Sequence, residues 1–249
     1  MKSKKSQVTV FIILAVIIAG LILAAIVYRP SEDVKKPDVN KIDPINSFVT
    51  DCLKQAGEDA VSYIGYTGGY FNLPNQSTDE NIAYYFYGGN DLMPSKEKIQ
   101  DELSLYMDDM LSFCTKNFID FPDYNITQGE VKTKTTITNN SVIFKVNYPI
   151  TVNKGDNNYK LEEFEETEIP ARLGVIYSIS RELMDEQMFN PEEICLNCIL
   201  DLSLENKVRI DMNNVNNSKG ENIIIFTITD VDSHIKDGEF KFNFANNYS

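Results

Sequence analysis

Residues 142–152 read VIFKVNYPITV, and this stretch sets the fold class. Val142, Phe144, Val146, Tyr148, Ile150 and Val152 alternate with Ile143, Lys145, Asn147, Pro149 and Thr151. That period of two makes one face of a strand apolar and leaves the other half-solvated. The chain before it has a different period. Ile45, Phe48, Val49, Cys52, Leu53, Ala56, Val61 and Ile64 recur at helical spacing over about 43–64. Ile99, Leu103, Tyr106, Met107, Met110, Leu111, Cys114 and Phe118 do so again after Pro94-Ser95, a helix start. Helices followed by strands predict an α+β fold with antiparallel hairpins.

Working outward, Glu130–Thr138 pairs with the 142–152 strand across Asn139-Asn140, a turn-forming dipeptide. Tyr159–Ile169 reads as a third strand after the Lys154–Asn158 turn. Pro170 marks where a helix can begin, and Leu173, Ile176, Tyr177, Leu183 and Met184 carry it to about Met188. Asn190-Pro191-Glu192-Glu193 reads as a cap and first turn leading into Cys195–Leu202. The C-terminal part is β again: Val208, Ile210 and Met212, then Ile223–Thr229, then Phe240, Phe242 and Phe244.

At the other end, Val8–Tyr28 holds 21 residues without a charge. As a helix it spans ~31 Å, enough for a hydrocarbon core of ~30 Å. Lys2, Lys4 and Lys5 precede it, and Arg29 alone follows closely. The positive-inside bias then places residues 1–7 in the cytoplasm, 8–28 in the lipid bilayer and the rest outside, a single-pass arrangement in the cell membrane. A cleaved secretory signal has a shorter apolar core and a small-x-small site. Cleavage after Ala25 or Ala24 would put Leu23 or Ile22 at the third residue back, so the helix reads as retained. Residues 29–42, polar and broken by prolines, read as a stalk, and 43–249 as one extracytoplasmic domain.

Charge narrows the partners. The chain has 23 basic and 37 acidic side chains, and four of the basic ones but none of the acidic ones lie within residues 1–29. The exported part is therefore more acidic than the overall net charge of −14. Such a surface repels phosphate backbones, which argues against nucleic acid and leaves protein partners at the cell surface. Cys52, Cys114, Cys195 and Cys198, an even set in an exported domain, suggest two disulfides. Cys52 and Cys114 lie on the apolar faces of the first two soluble helices, so face-to-face packing predicts a Cys52–Cys114 bridge, with Cys195 and Cys198 joined locally or left reduced. Asn-x-Ser/Thr occurs at Asn75, Asn125, Asn139, Asn216 and Asn247, a weak excess over chance that is compatible with surface glycosylation without being evidence for it.

No constellation commits the chain to catalysis. Cys195-Leu-Asn-Cys198 has redox or zinc spacing, but zinc needs four ligands and no second C-x-x-C or His pair exists. A local structural disulfide is the simpler reading. His234, the single histidine, falls in Asp230–Glu239, read as a charged, solvated turn between strands; its Asp pattern lacks the spacing of a calcium loop. Glu162, Glu163, Glu165, Glu166 and Glu168 on one strand point to opposite faces, which suits a charged sheet edge better than a facing acid–base pair. Tyr66–Gly89, punctuated by Gly68-Gly69, Pro74 and Gly88-Gly89, reads as a long loop. Its tyrosines Tyr66, Tyr70, Tyr84, Tyr85 and Tyr87 are candidates for a binding surface.

Lys4-Lys5-Ser6-Gln7-Val8-Thr9-Val10-Phe11, running into the apolar helix, resembles the class III signal of archaeal type IV pilins and archaellins. The resemblance covers about 25 residues. It implies cleavage between Ser6 and Gln7 with the apolar segment retained for packing into a filament. The fifth mature position is then Phe11, where many pilins carry glutamate. The remainder resembles membrane-anchored proteins of small-genome archaea that have no known activity. The carrying stretches are Cys52-Leu53 with Gly68-Gly69-Tyr70, the Cys195–Cys198 segment and Phe242-Asn-Phe-Ala-Asn-Asn-Tyr248. The combined expectation is a membrane-anchored surface or envelope protein that is not an enzyme and needs no cofactor or metal. A pilin-like filament subunit, or an enzyme whose site is dispersed in sequence, are the alternatives.

Overall fold

The structure, a computed structural model, describes residues 43–155, 157–216, 220–236 and 238–248, together with the isolated Ile18. The chain divides into two units, Met1–Asn40 and Lys41–Ser249, and the fold is that of the second. The expected bilayer helix 8–28, the stalk and the Ser6–Gln7 junction lie outside the described residues, Ile18 apart. Among the described residues no helix is long and apolar enough to cross a membrane.

The domain is α+β, as the change of period predicts. Helices α1 (Asp43–Thr67) and α2 (Lys96–Thr115) precede most of the strands. Helices α3 (Leu173–Phe189) and α4 (Leu196–Asn206) separate two sheets. Ser95 caps α2, its side chain accepting the Lys98 N–H at 3.1 Å. The fourth helix starts later than Asn190 suggests. Asn190–Glu193 stays outside it, because the Gln187 side chain donates to the carbonyls of Asn190 (3.2 Å) and Pro191 (3.1 Å) and holds that segment as a turn.

The second sheet is built on β5 (Val142–Lys154), the opening strand of the sequence argument. Strands β3 (Asn125–Gln128) and β4 (Lys132–Ile137) pair with its two halves along one edge. Strands β6 (Asn157–Glu163) and β7 (Thr167–Ile169) do the same along the other. Tyr159–Ile169 is thus two short strands rather than one. Pro149 lacks an N–H in the middle of β5, and both partners break near it. The Gly129 N–H donates to the Pro149 carbonyl at 2.7 Å where β3 gives way to β4, and the register with β6 shifts between Asn147 and Ile150. Helix α2 covers the outer edge of β4. The Thr135 N–H donates to Ser104 Oγ (3.1 Å) and the Ile137 N–H to Gln100 Oε1 (2.9 Å), so the edge cannot recruit another strand there.

The first sheet has the order β2-β1-β10-β9-β8. Strands β8 (Val208–Asn216), β9 (Asn222–Ile235) and β10 (Gly238–Asn247) form an antiparallel meander. Strand β1 (Tyr84–Tyr87) joins it parallel to β10 and turns back through β2 (Asn90–Asp91). The tyrosine-rich segment is therefore part strand, a departure from the loop reading. Strand β9 also runs on to Ile235, so Asp230–Ser233 belongs to the strand rather than to a turn.

Helix α1 ties the two sheets together. A Cβ at Gly57 would meet Ile169 and Phe144 of the second sheet at 3.2–3.3 Å, and one at Gly65 would lie 2.4 Å from the Lys241 carbonyl oxygen of the first. Ile45, Val49, Leu53, Ala60, Val61 and Ile64 are buried in the shared core. On the face toward α2, Cys52 and Cys114 form a disulfide with Cα atoms 5.6 Å apart, the expected pairing.

Candidate functional site

The structure scatters the tyrosine candidates. Tyr85 is fully buried, its ring stacked on Phe244 at 4.7 Å and its hydroxyl donating to the Gly68 carbonyl at 3.1 Å. Burial holds its pKa well above the usual phenol value. Tyr84 is also buried, and burial together with the nearby Glu221 pushes its pKa up to about 12. Tyr70 and Tyr87 are half-buried, and Tyr66 is exposed. The loop between Thr67 and the strand is fixed by Glu102, a buried carboxylate of α2. Its Oε2 accepts the N–H groups of Phe71 and Asn72, both at 2.8 Å, and Lys98 pairs with its other oxygen at 2.6 Å.

Tyr66 borders a concavity of about 650 Å³, which lies over the solvent face of β8–β10. Alternation puts polar side chains there in two cross-strand rows. Asp211, Thr227 and Asn243 form one row, and Arg209, Thr229 and Lys241 the other. Thr227 Oγ1 donates to Asn243 Oδ1 (2.9 Å), and Asn243 Nδ2 to the Tyr66 carbonyl (3.2 Å). Arg209 pairs with Asp211 at 3.0 Å and with Glu239 at 3.6 Å. The face offers amides, hydroxyls and both signs of charge, but no nucleophile held against a base.

Two polar clusters escaped the sequence reading. The first is Arg172–Asp230. Asp230 is completely buried; Arg172 Nε reaches its Oδ2 at 3.0 Å, and the Ser233 hydroxyl donates to the same oxygen. Burial opposes ionisation, but the bonds from Arg172 and Ser233 outweigh it and hold the Asp230 pKa below the ordinary carboxylate value. Asp230 is thus a buried anchor for the start of α3 and not part of a solvated turn. His234 is exposed on β9.

The second surrounds the remaining cysteines. Cys195 is the N-cap of α4 and is bonded to Cys198, with Cα atoms 5.3 Å apart. Its Sγ accepts the Cys198 N–H at 3.2 Å. A carboxylate oxygen of Glu186, from α3, lies within 4.8 Å of both sulfurs. Glu186, Cys195, Gln187 and Asn246 line one small cavity. Tyr248 donates its hydroxyl to Gln187 Oε1, which also accepts from Asn246 Nδ2 at 3.4 Å. Asn246 is 2 % exposed, yet its Oδ1 has no hydrogen-bond partner. The one sequence cue to this cluster is the C-x-x-C spacing; a buried Asn in an otherwise apolar strand gives no local signal. The acidic residues Glu162, Glu163, Glu165, Glu166 and Glu168 are exposed along the β6–β7 edge and form no facing pair.

No family model, no curated protein and no solved structure matches the chain.

Proposed function

We propose that this is a single-pass membrane protein with a cytoplasmic N-terminus, whose domain 43–249 lies outside the cytoplasm and serves as a surface or envelope interaction protein rather than an enzyme. The observation that carries the reading is the use of all four cysteines in two disulfides, with no free thiol. A domain of about 200 residues buries enough apolar surface to fold without staples, so two bridges fit an oxidising compartment better than a folding requirement. The uncharged run 8–28 behind Lys2, Lys4 and Lys5 supplies the anchor and its direction. The concave polar face of β8–β10, with Tyr66 at its rim, is the contact surface the domain offers.

External protease applied to intact cells tests the topology. The domain should be degraded while a fragment containing residues 8–28 is spared. Full protection until lysis removes the proposal. A photocrosslinking residue at Tyr66 tests the contact face against one at Glu163 on the opposite sheet. Crosslinks concentrated at position 66 are expected; equal capture at both positions argues that the concavity is not the contact face.

A further inference from the structure

We propose that Cys195–Cys198 is a thiol-exchange site that oxidises a dithiol on another polypeptide, while Cys52–Cys114 is a permanent staple. The two bridges differ in access. Cys52 is 2 % exposed and only its partner Cys114 is partly exposed, whereas Cys195 and Cys198 are both partly exposed and only three residues apart.

The surroundings also favour the reduced state. Cys195 sits at the N-cap of an 11-residue helix with the Cys198 N–H already aimed at its sulfur. A thiolate there meets the positive end of the helix dipole and a hydrogen-bond donor, which stabilises it. Asn246 supplies an independent sign. Its Oδ1 is buried without a donor, and Asn246 lines the same small cavity as Cys195. A buried acceptor of this kind carries a desolvation cost. Reduction puts an S–H donor on the wall of the same cavity.

The chemistry closes without a further reagent. A thiolate of the partner dithiol attacks Cys195 Sγ, the Cys195–Cys198 bond breaks, and Cys198 leaves with the electron pair and takes up a proton. The partner's second thiolate attacks its own sulfur in the mixed disulfide, and Cys195 leaves as the thiolate that the helix N-terminus stabilises. The partner loses two electrons and gains a disulfide; Cys195 and Cys198 become a dithiol. The proton that Cys198 takes up comes from solvent, which reaches the partly exposed pair.

The test uses the full chain in glutathione redox buffers, with each bridge read by differential alkylation and peptide mass mapping. Cys195–Cys198 should be half-reduced at a lower ratio of reduced glutathione squared to disulfide than Cys52–Cys114 requires. Reduction of both bridges at one ratio, or of Cys195–Cys198 last, overturns the proposal. Cys198→Ser, checked for an intact Cys52–Cys114 bridge as evidence of folding, should trap glutathione on Cys195. Failure of that folded variant to form the mixed disulfide also overturns it.

Discussion

Cys52 and Cys114 stand 62 residues apart in sequence, and their Cα atoms lie 5.6 Å apart across the seam between α1 and α2. The bridge encloses the whole tyrosine-bearing segment and strands β1 and β2. Chain-entropy reasoning for a loop of that length gives about 4 kcal/mol, arising mainly from restriction of the unfolded chain. Replacing both cysteines by alanine should lower the unfolding free energy by about that amount in urea denaturation, with a raised m-value as the unfolded chain expands. A loss below about 1 kcal/mol would show that the unfolded chain is already constrained or that the bridge is offset by strain.

The two helical glycines of α1 should respond oppositely to alanine. Alanine gains about 1 kcal/mol of helix propensity at either position. At Gly57 the new methyl meets the ends of the Ile169 and Phe144 side chains at 3.2–3.3 Å, which can shift by a few tenths of an ångström. At Gly65 it meets the Lys241 carbonyl at 2.4 Å and the Phe240 ring at 2.8 Å, and the backbone cannot yield without moving the helix off the sheet. Gly57→Ala should be neutral to within about 1 kcal/mol, whereas Gly65→Ala should cost about 2–3 kcal/mol net. Equal thermal shifts for the two variants would contradict this helix–sheet contact.

Most of this architecture is legible in the sequence where the signal is local. The alternation of Val142–Val152, the Ser95 cap and the apolar stripes holding Cys52 and Cys114 need only neighbouring residues to be read. What stays hidden depends on partners far along the chain. Tyr84–Tyr87 is a strand because β10, some 160 residues later, pairs with it in parallel; in isolation its glycine-flanked aromatics look like a loop. Asp230 looks solvent-facing among charged neighbours, yet Arg172, 58 residues earlier, allows it to be buried. The Cys195–Cys198 spacing is visible, but Glu186 and Asn246 reach it from α3 and β10.

The Arg172–Asp230 pair makes acid stability predictable. The folded pKa of Asp230 lies below its unfolded value, so its contribution is present in full above the unfolded carboxylate pKa of about 3.9. It is lost as pH falls through the folded value. Stability should therefore drop more steeply below about pH 4 in the native chain than in Asp230→Asn, which removes this proton linkage. Arg172→Ala leaves a buried carboxylate with Ser233 and the Asp232 N–H but without its cation, and should cost about 3–5 kcal/mol at neutral pH. Parallel pH–stability curves for the native chain and Asp230→Asn would rule out the linkage.

Glu102 governs whether the tyrosine-bearing segment is a fixed surface or a mobile one. Its carboxylate is 1 % exposed and accepts two backbone N–H groups, from Phe71 and Asn72, while Lys98 neutralises it. Charged acceptors of this kind contribute about 1.5–3 kcal/mol per hydrogen bond lost. Glu102→Gln keeps the shape and one acceptor oxygen but removes the charge, so its cost should be about 2 kcal/mol. The loss should be local. Phe71 stacks edge-on against Tyr106 at 5.1 Å and against Tyr63 at 6.0 Å, and these rings keep the segment near α2 even when the bonds weaken. Amide exchange at Phe71 and Asn72 should therefore accelerate by about tenfold or more, while amides in the buried turns of α1 around Leu53 and Ala60 keep most of their protection. Uniform acceleration across the domain would mean that Glu102 supports global stability rather than the position of this segment. No acceleration at Phe71 or Asn72 would mean that packing of the aromatic rings, not the carboxylate, holds the segment in place.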